Sequence, residues 1–237
     1  MYMQGIRGFK FAGKHNDDFD VVMEQKVISF PSKKKVKDSV PFMNGSYDFS
    51  TIGTNGEIVY EQRDIKIIIG FPAQSKERLQ SLYSKILEWV VDSGKSQLIF
   101  DVMPEYYFMA EVESSSTLEE TMAYGKLEIN MVADPFKKSI DPVGACIWDT
   151  FNFEEDYLQD VEHTIRGSGK INILNPGRTV RPVIISTAQM TMKKGDNTYT
   201  VYNGSNQIYG FYLNPGDNNI TFTGNGTVTF DFRKETL

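Results

Sequence analysis

The chain is short of the residues that most enzymes use. Among 237 residues there is one cysteine, Cys146, and there are two histidines, His15 and His163. A single cysteine forms no intramolecular disulfide, so packing alone is expected to hold the fold. Cys146 sits in GACIWD beside Ile147 and Trp148, a setting for a buried structural thiol rather than a nucleophile. The histidines are far apart in sequence and neither has an H-x-x-x-H or other zinc-type spacing. There is no G-x-S-x-G elbow and no Walker A loop, and GNGT at Gly224 lacks the third glycine of a dinucleotide loop. No run of 18 apolar residues is present, so no transmembrane helix is expected. The stretch MYMQGIRGFKFAGKHNDDFD has no signal-peptide core, so synthesis in a cytoplasm is expected. Positive charge is also scarce: 25 Lys and Arg against 31 Asp and Glu give −6. That balance disfavours nucleic acid, whose binding depends on displacing counterions with cations. The one basic cluster, Lys33-Lys34-Lys35-Val36-Lys37, reads as a solvated loop tip.

What is present is mostly β. Apolar residues are 40% and charged residues 24% of the chain, enough apolar material for a core. Period-2 alternation recurs. It places Leu127, Ile129 and Met131 on one face of a strand, and Ile65, Ile67 and Ile69 on one face of another. The same reading pairs Phe108, Ala110 and Val112, and Val228, Phe230 and Phe232. One wet face per strand favours antiparallel sheets. A single helix is expected over 75–92, with Ser75 as N-cap and Gly94 as terminator. Its apolar stripe is Leu79, Leu82, Tyr83, Ile86, Trp89 and Val90, and Trp89 reads as core.

Composition shifts near residue 137, where Asp134-Pro135 and Asp141-Pro142 force extended or turned backbone. The expected organisation is an α+β domain at 1–137 and an all-β domain at 138–237. In the second, strands are expected at 170–174, 182–193, 198–202, 206–213, 218–223 and 226–232, the spacing of a β-sandwich or jelly roll. Asn-Gly at Asn44, Asn55, Asn203 and Asn225 predicts four hairpin turns. Three of these asparagines, and Asn219, also lie in N-x-S/T sequons, which read here as turns rather than glycan sites.

The carboxylate clusters Asp17-Asp18-Asp20, Glu119-Glu120 and Glu154-Glu155-Asp156 all lie in polar stretches without the flanking aromatics of a sugar cleft. Asp17, Asp18 and Asp20 also lack the glycine and glutamate of an EF-hand loop, so no metal site is expected. Aromatics are plentiful in the second half: Trp148, Phe151, Phe153, Tyr199, Tyr202, Tyr209, Phe211 and Tyr212. They can stack on sugars or form a protein interface. Alternation places Tyr209 and Phe211 on one face and Tyr212 on the other. In VPFMNGSYDFS, from Val40 to Ser50, Asn44-Gly45 reads as a turn. Tyr47 and Phe49 are expected to pack on one face, and Asp48 to point to solvent or a neighbouring subunit.

The order of several segments resembles the distal tail protein (Dit) family of siphophages. They are GFKFAGKHNDDFDVVME, VPFMNGSYDFST, EIVYEQRDIKIII, the single helix, GKSQLIFDVMPEYYFMAEVE and ADPFKK, followed more loosely by INILNPGRTVRPVIIS and YLNPGDNNITFTGNGTVTFDFRK. The resemblance implies a structural protein of a phage or prophage tail tip, not an enzyme, with no catalytic residues, cofactor or metal. It implies a homo-hexameric ring built by the N-terminal half, with a galectin-like C-terminal β-sandwich. The ring would join the tail tube protein to a tail-associated lysin or fibre protein, with receptor-binding proteins at its periphery. Residues 20–50 and the strands around 57–69 are the expected subunit contacts, and Val36 is an exposed position within them. The competing readings are a carbohydrate-binding module for host cell-wall polysaccharide and a glycoside hydrolase acting through Glu119 or Glu154.

Overall fold

The computed structural model describes residues 8–54, 56–72, 75–114, 118–121, 124–145 and 158–237. The chain divides into two compact units, Met1–Lys137 with Leu237, and Lys138–Thr236. Cys146, Trp148, Phe151, Phe153, Glu154, Glu155, Asp156 and Asn55 lie outside the described residues.

The first unit opens with β1 (Phe9–Phe11) and β2 (Lys14–His15), joined by a two-residue turn. Ala12 and Gly13 both have positive φ, 49° and 83°, as a type I′ hairpin requires. A 3-10 turn at Asn16–Phe19 leads to β3 (Val22–Ile28). The chain then leaves the sheet as a long arm carrying β4 (Lys37–Asp38) and β5 (Tyr47–Asp48), and returns as β6 (Arg63–Pro72). Helix α1 (Lys76–Val90) follows, then β7 (Ser96–Phe100), β8 (Tyr106–Ser114), β9 (Leu118–Glu120), β10 (Tyr124–Ala133) and β11 (Lys137–Ser139). The main sheet runs β2-β1-β7-β8-β10-β6-β3 and is antiparallel throughout.

The alternation expected of β6 and β10 is present and in register. Ile65 pairs with Met131, Ile67 with Ile129 and Ile69 with Leu127, and all six are buried in one core. Helix α1 covers that face with Leu79, Ile86, Trp89 and Val90. Ser75 caps it by accepting from the Arg78 N–H at 3.3 Å, and Gly94 takes φ 58° just beyond it. Trp89 is 2% exposed, stacks on Phe19 at 4.5 Å and Phe9 at 5.5 Å, and donates its Nε1–H to the Phe11 carbonyl at 2.9 Å. The indole therefore ties the helix to β1 with its polar atom satisfied.

The second unit contains β12 (Glu162–Asn175), β13 (Val183–Ser186), β14 (Met190–Lys194), β15 (Asn197–Val201), β16 (Gly204–Asn206), β17 (Gly216–Asp231) and β18 (Glu235–Thr236). Its spine is a ladder of 14 registered pairs between β12 and β17. On the other edge of β17, β14 pairs with its first half and β13 with its second. The ladder folds over on itself. Phe222 and Phe230 are eight residues apart in one strand, which spans about 26 Å when straight. Their ring centroids are 6.2 Å apart. Both halves of β17 thus face one core with Ile165, Ile173, Met192 and Phe211, giving a β-sandwich whose two layers share the same long strands.

This arrangement corrects three expectations. Asn225-Gly226 is not a hairpin turn: it lies inside β17, at the fold-over. Gly224 and Gly226 have φ of 141° and 155°, and Gly167, paired with Gly224, has φ 75°. A Cβ on Gly224 would lie 2.5 Å from Met190 Cγ, so the crossing needs glycine. Asn225 Oδ1 accepts from the Gly167 N–H at 2.8 Å and holds the bend. The second correction concerns 206–213, which forms no strand beyond Asn206. Without period 2 there, Phe211 is buried while Tyr209 is 88% exposed, so the two do not share a face. The strand expected at 182–193 is two, β13 and β14, because the chain crosses at Thr187–Gln189 from one half of β17 to the other.

Candidate assembly surface

The described residues place no nucleophile, acid–base pair or metal cluster in a cleft, and no group of three His, Cys, Asp or Glu among them is positioned for a metal ion. Asp17, Asp18 and Asp20 build the local turn. Asp18 accepts from the His15 N–H at 2.8 Å, the Asp17 carboxylate from Asn16 Nδ2 at 3.0 Å, and Asp20 closes the turn at φ 55°. His15 Nε2 meets Asp101 at 3.2 Å, and His163 lies on β12 of the second unit. Glu119 is an exposed residue of β9. Among the described residues, no helix is long and apolar enough to cross a membrane.

The distinctive surface is the arm between β3 and β6. Its stem is fixed: the Ser29 N–H donates to the Asp64 carbonyl at 2.9 Å, Lys34 to Val59 at 2.8 Å and Glu61 to Ser32 at 2.8 Å, with Lys33 bridging Tyr60. Beyond it runs a thin ribbon with two registered pairs between β4 and β5. Lys35 Nζ meets Asp48 at 2.9 Å, and Ser50 Oγ accepts from the Val36 N–H at 2.9 Å. Hydrogen bonds from Ser50 and Lys35 hold the Asp48 carboxyl well below the usual carboxylate range. Asp48 is exposed, as expected, and on that surface it is paired with Lys35 of the same arm.

The ribbon is apolar on its outside. Phe30 is 92% exposed, Ile52 71%, and Phe42 fully exposed at the tip with φ 66°. Val36, Val40, Tyr47, Phe49, Ile58 and Val59 are exposed as well. Tyr47 and Phe49 do share a face and touch, with ring centroids 6.0 Å apart, but they meet solvent rather than core. A side chain such as Phe or Ile is worth about 1.5–3 kcal/mol when fully buried. Covering half of these nine residues is therefore worth about 10 kcal/mol, comparable with the ~4–15 kcal/mol cost of association. A left-handed Phe at the tip is a further outlier that points to use.

A groove of about 610 Å³ lies at the root of the arm, between β3 and the face of β6 and β10 that carries Lys66, Ile68, Glu128 and Asn130. Lys66 and Glu128 form an ion pair at 2.7 Å. Asp64 and Glu113 line the same groove and are in no ion pair among the described residues. Among the described residues, β3 is the terminal strand and pairs only with β6, so its outer backbone edge has no strand partner there.

In the second unit, Tyr202 and Tyr209 are exposed, and Arg181 lies over the Tyr209 and Tyr212 rings at 5.6 Å and 5.4 Å. Tyr199 packs edge-on against buried Phe211. Asn203-Gly204 is a bend rather than the expected hairpin turn: Gly204 alone takes positive φ, 96°, and the strands on either side, β15 and β16, pair with β14 and β13 rather than with each other. Neither the apolar excess of the arm nor the groove was read from the sequence. The available signal was a stretch of lysines and large apolar residues with no helical or strand period.

This antiparallel domain with one helix and an uncovered arm is of the phage-tail class: residues 16–133 match the phage tail protein RIFT-related domain. No curated protein matches the sequence. Among solved structures, the chain is similar to the Dit protein of phage SPP1, which is described as a paradigm of the hub adsorption apparatus in phages infecting Gram-positive bacteria. The likeness has TM-score 0.66 at 13% identity and covers 98% of this chain and 100% of that one. Residues 16–133 thus belong to that phage tail domain family, and the fold of the whole chain is similar to that of the SPP1 Dit protein.

Proposed function

We propose that the chain is the hub subunit of a siphophage tail tip, six copies of which close into a ring. The reading is carried by the fold likeness to the SPP1 hub protein over almost the full length of both chains. It is supported by the apolar arm, which has no covering within its own unit. In this reading the first unit builds the ring, through residues 20–50 and the strands around 57–69. The ring joins the tail tube protein to a tail-associated lysin or fibre protein in the virion, and the second unit offers its surface to receptor-binding proteins. The protein is structural and uses neither cofactor nor metal.

Negative-stain microscopy of the purified chain tests this. The expected outcome is a six-fold ring with a central hole of tube width. A protein that stays monomeric at its highest soluble concentration and sediments with cell-wall material would overturn the hub reading in favour of a carbohydrate-binding module.

A further inference from the structure

We propose that Tyr209, Arg181 and Tyr212 of the second unit form a binding site for an anionic saccharide. The Tyr209 ring would take a C–H face of the sugar, and the Arg181 guanidinium its carboxylate or phosphate. The inference goes beyond the hub reading and does not rest on it, because all three residues belong to one unit of one chain.

The segment between β16 and β17 holds its aromatics on a fixed frame. Phe211 and Leu213 are buried anchors. Val180 and Leu213 exchange two backbone hydrogen bonds, at 3.0 and 2.8 Å. The Tyr199 hydroxyl donates to the Gly210 carbonyl at 3.0 Å, and Lys194 Nζ to the Tyr212 carbonyl at 2.5 Å. Gly210 takes φ 77°, which lets the chain turn between exposed Tyr209 and buried Phe211. One exposed aromatic is ordinary on a protein surface. This one is joined to a positioned cation.

Arg181 lies over the Tyr209 and Tyr212 rings, and its Nη2 donates to the Tyr212 hydroxyl at 3.1 Å. These contacts hold the guanidinium in place without neutralising it, since Arg181 is in no ion pair among the described residues. A guanidinium carries five N–H donors in a fork that matches a carboxylate or a phosphate. An anion arriving here meets a donor already oriented, so its charge-assisted bonds cost little ordering.

The surroundings favour a sugar over an acidic protein segment. Within 203–214, Ile208, Phe211 and Leu213 pack against the core, and no aliphatic side chain is exposed. What remains outside is Tyr209 and Tyr212 with polar residues such as Asn203, Gln207 and Asn214. A protein hot spot draws on well-packed, fully desolvated pockets, which this surface does not offer. A pyranose alternates C–H faces with hydroxyls. Its C–H groups meet the negative face of a tyrosine ring, and its hydroxyls meet amide donors and acceptors.

Titration calorimetry on the full chain tests the site. The probes are glucose 1-phosphate and a hyaluronan tetrasaccharide, with glucose, inorganic phosphate and a hexaglutamate peptide as comparisons. Both anionic saccharides are expected to bind, and each comparison to bind about tenfold more weakly or not at all. Tyr209→Ala and Arg181→Gln should each weaken saccharide binding about tenfold, the loss of one stacked ring or one charge-assisted contact. Tyr209→Phe should keep it, and all three variants should keep the wild-type melting temperature. Inorganic phosphate binding as tightly as the saccharides would reduce the site to a non-selective anion contact and overturn the proposal. Hexaglutamate binding more tightly would overturn it in favour of an acidic protein partner. Absence of saccharide binding up to about 10 mM, or binding unchanged in Tyr209→Ala, overturns it as well. None of these results bears on whether six copies close into a ring, which microscopy reads separately.

Discussion

The protein contains two antiparallel ribbons of opposite kinds. The β12–β17 ribbon has 14 registered pairs, doubles over and buries Phe222 and Phe230 against each other. The arm has two pairs at β4–β5 and leaves its large apolar residues outside. Both use glycines and asparagines at their bends and both carry aromatics. The difference lies in burial: the aromatics of β17 pack in the chain's own core, while Phe42, Tyr47 and Phe49 of the arm are exposed. A ribbon that a chain cannot bury by itself is a surface for assembly.

The same kind of substitution should therefore act on folding in one ribbon and on assembly in the other. Phe230→Ala is expected to destabilise the second unit by about 3–5 kcal/mol, from lost burial and the cavity it leaves, measured by urea unfolding. Next in size is Asn218→Ala. The buried Asn218 amide donates to the Ile173, Asn214 and Gly216 carbonyls at 3.1, 2.8 and 2.9 Å, and its Oδ1 accepts from the Asn214 N–H at 2.9 Å. Removing it strands buried backbone groups and should cost about 2–3 kcal/mol by the same assay. Asn206 clasps its own loop in the same way, donating to the Ile184, Tyr202 and Gly204 carbonyls.

In the arm, Val36→Asp should change monomer stability by no more than about 0.5 kcal/mol, yet remove the hexamer in size-exclusion light scattering. Retention of the hexamer would place the contact elsewhere.

A smaller, spectroscopic effect belongs to the edge from which the arm departs. Tyr124 donates to Glu24, at the β3 bulge, and the carboxylate pushes the phenol up to about 12 from 10.0. The sign follows from the neutral phenol being favoured in the fold. The stabilisation is present below the ordinary tyrosine value and lost as pH rises through about 12. Phenolate absorbance should show one tyrosine titrating late, and Glu24→Gln should bring it back toward 10.

The smallest effect is at Asp48. Its carboxyl is held low, so its contribution is present above the unfolded carboxylate range and fades only in strong acid. Amide exchange at Ser50 should hold through mild acid and quicken only below that range.

Regions governed by one local period were legible in advance. Ile65, Ile67 and Ile69 alternate with polar or half-buried residues against a helix stripe, and each pattern alone specifies a buried face. Asn225-Gly226 was misread because it satisfies the local chemistry of a turn, while a ladder of 14 pairs keeps the chain extended through it. Tyr209, Phe211 and Tyr212 were misread because alternation has meaning only where there is a strand. Tyr47 and Phe49 were placed on one face correctly, but alternation does not say whether a core exists to receive that face. The fold was thus mostly visible as pattern. The exposed apolar arm was not, since neither helical nor strand period marks it and alternation does not report burial.

The mass of the purified protein, wild type against Phe42→Ser with Ile52→Ser, tests the central claim most directly. The account predicts six times the 27.0 kDa chain mass for wild type and a single chain mass for the variant, with the same melting temperature for the isolated chains. Equal masses for the two proteins would contradict it.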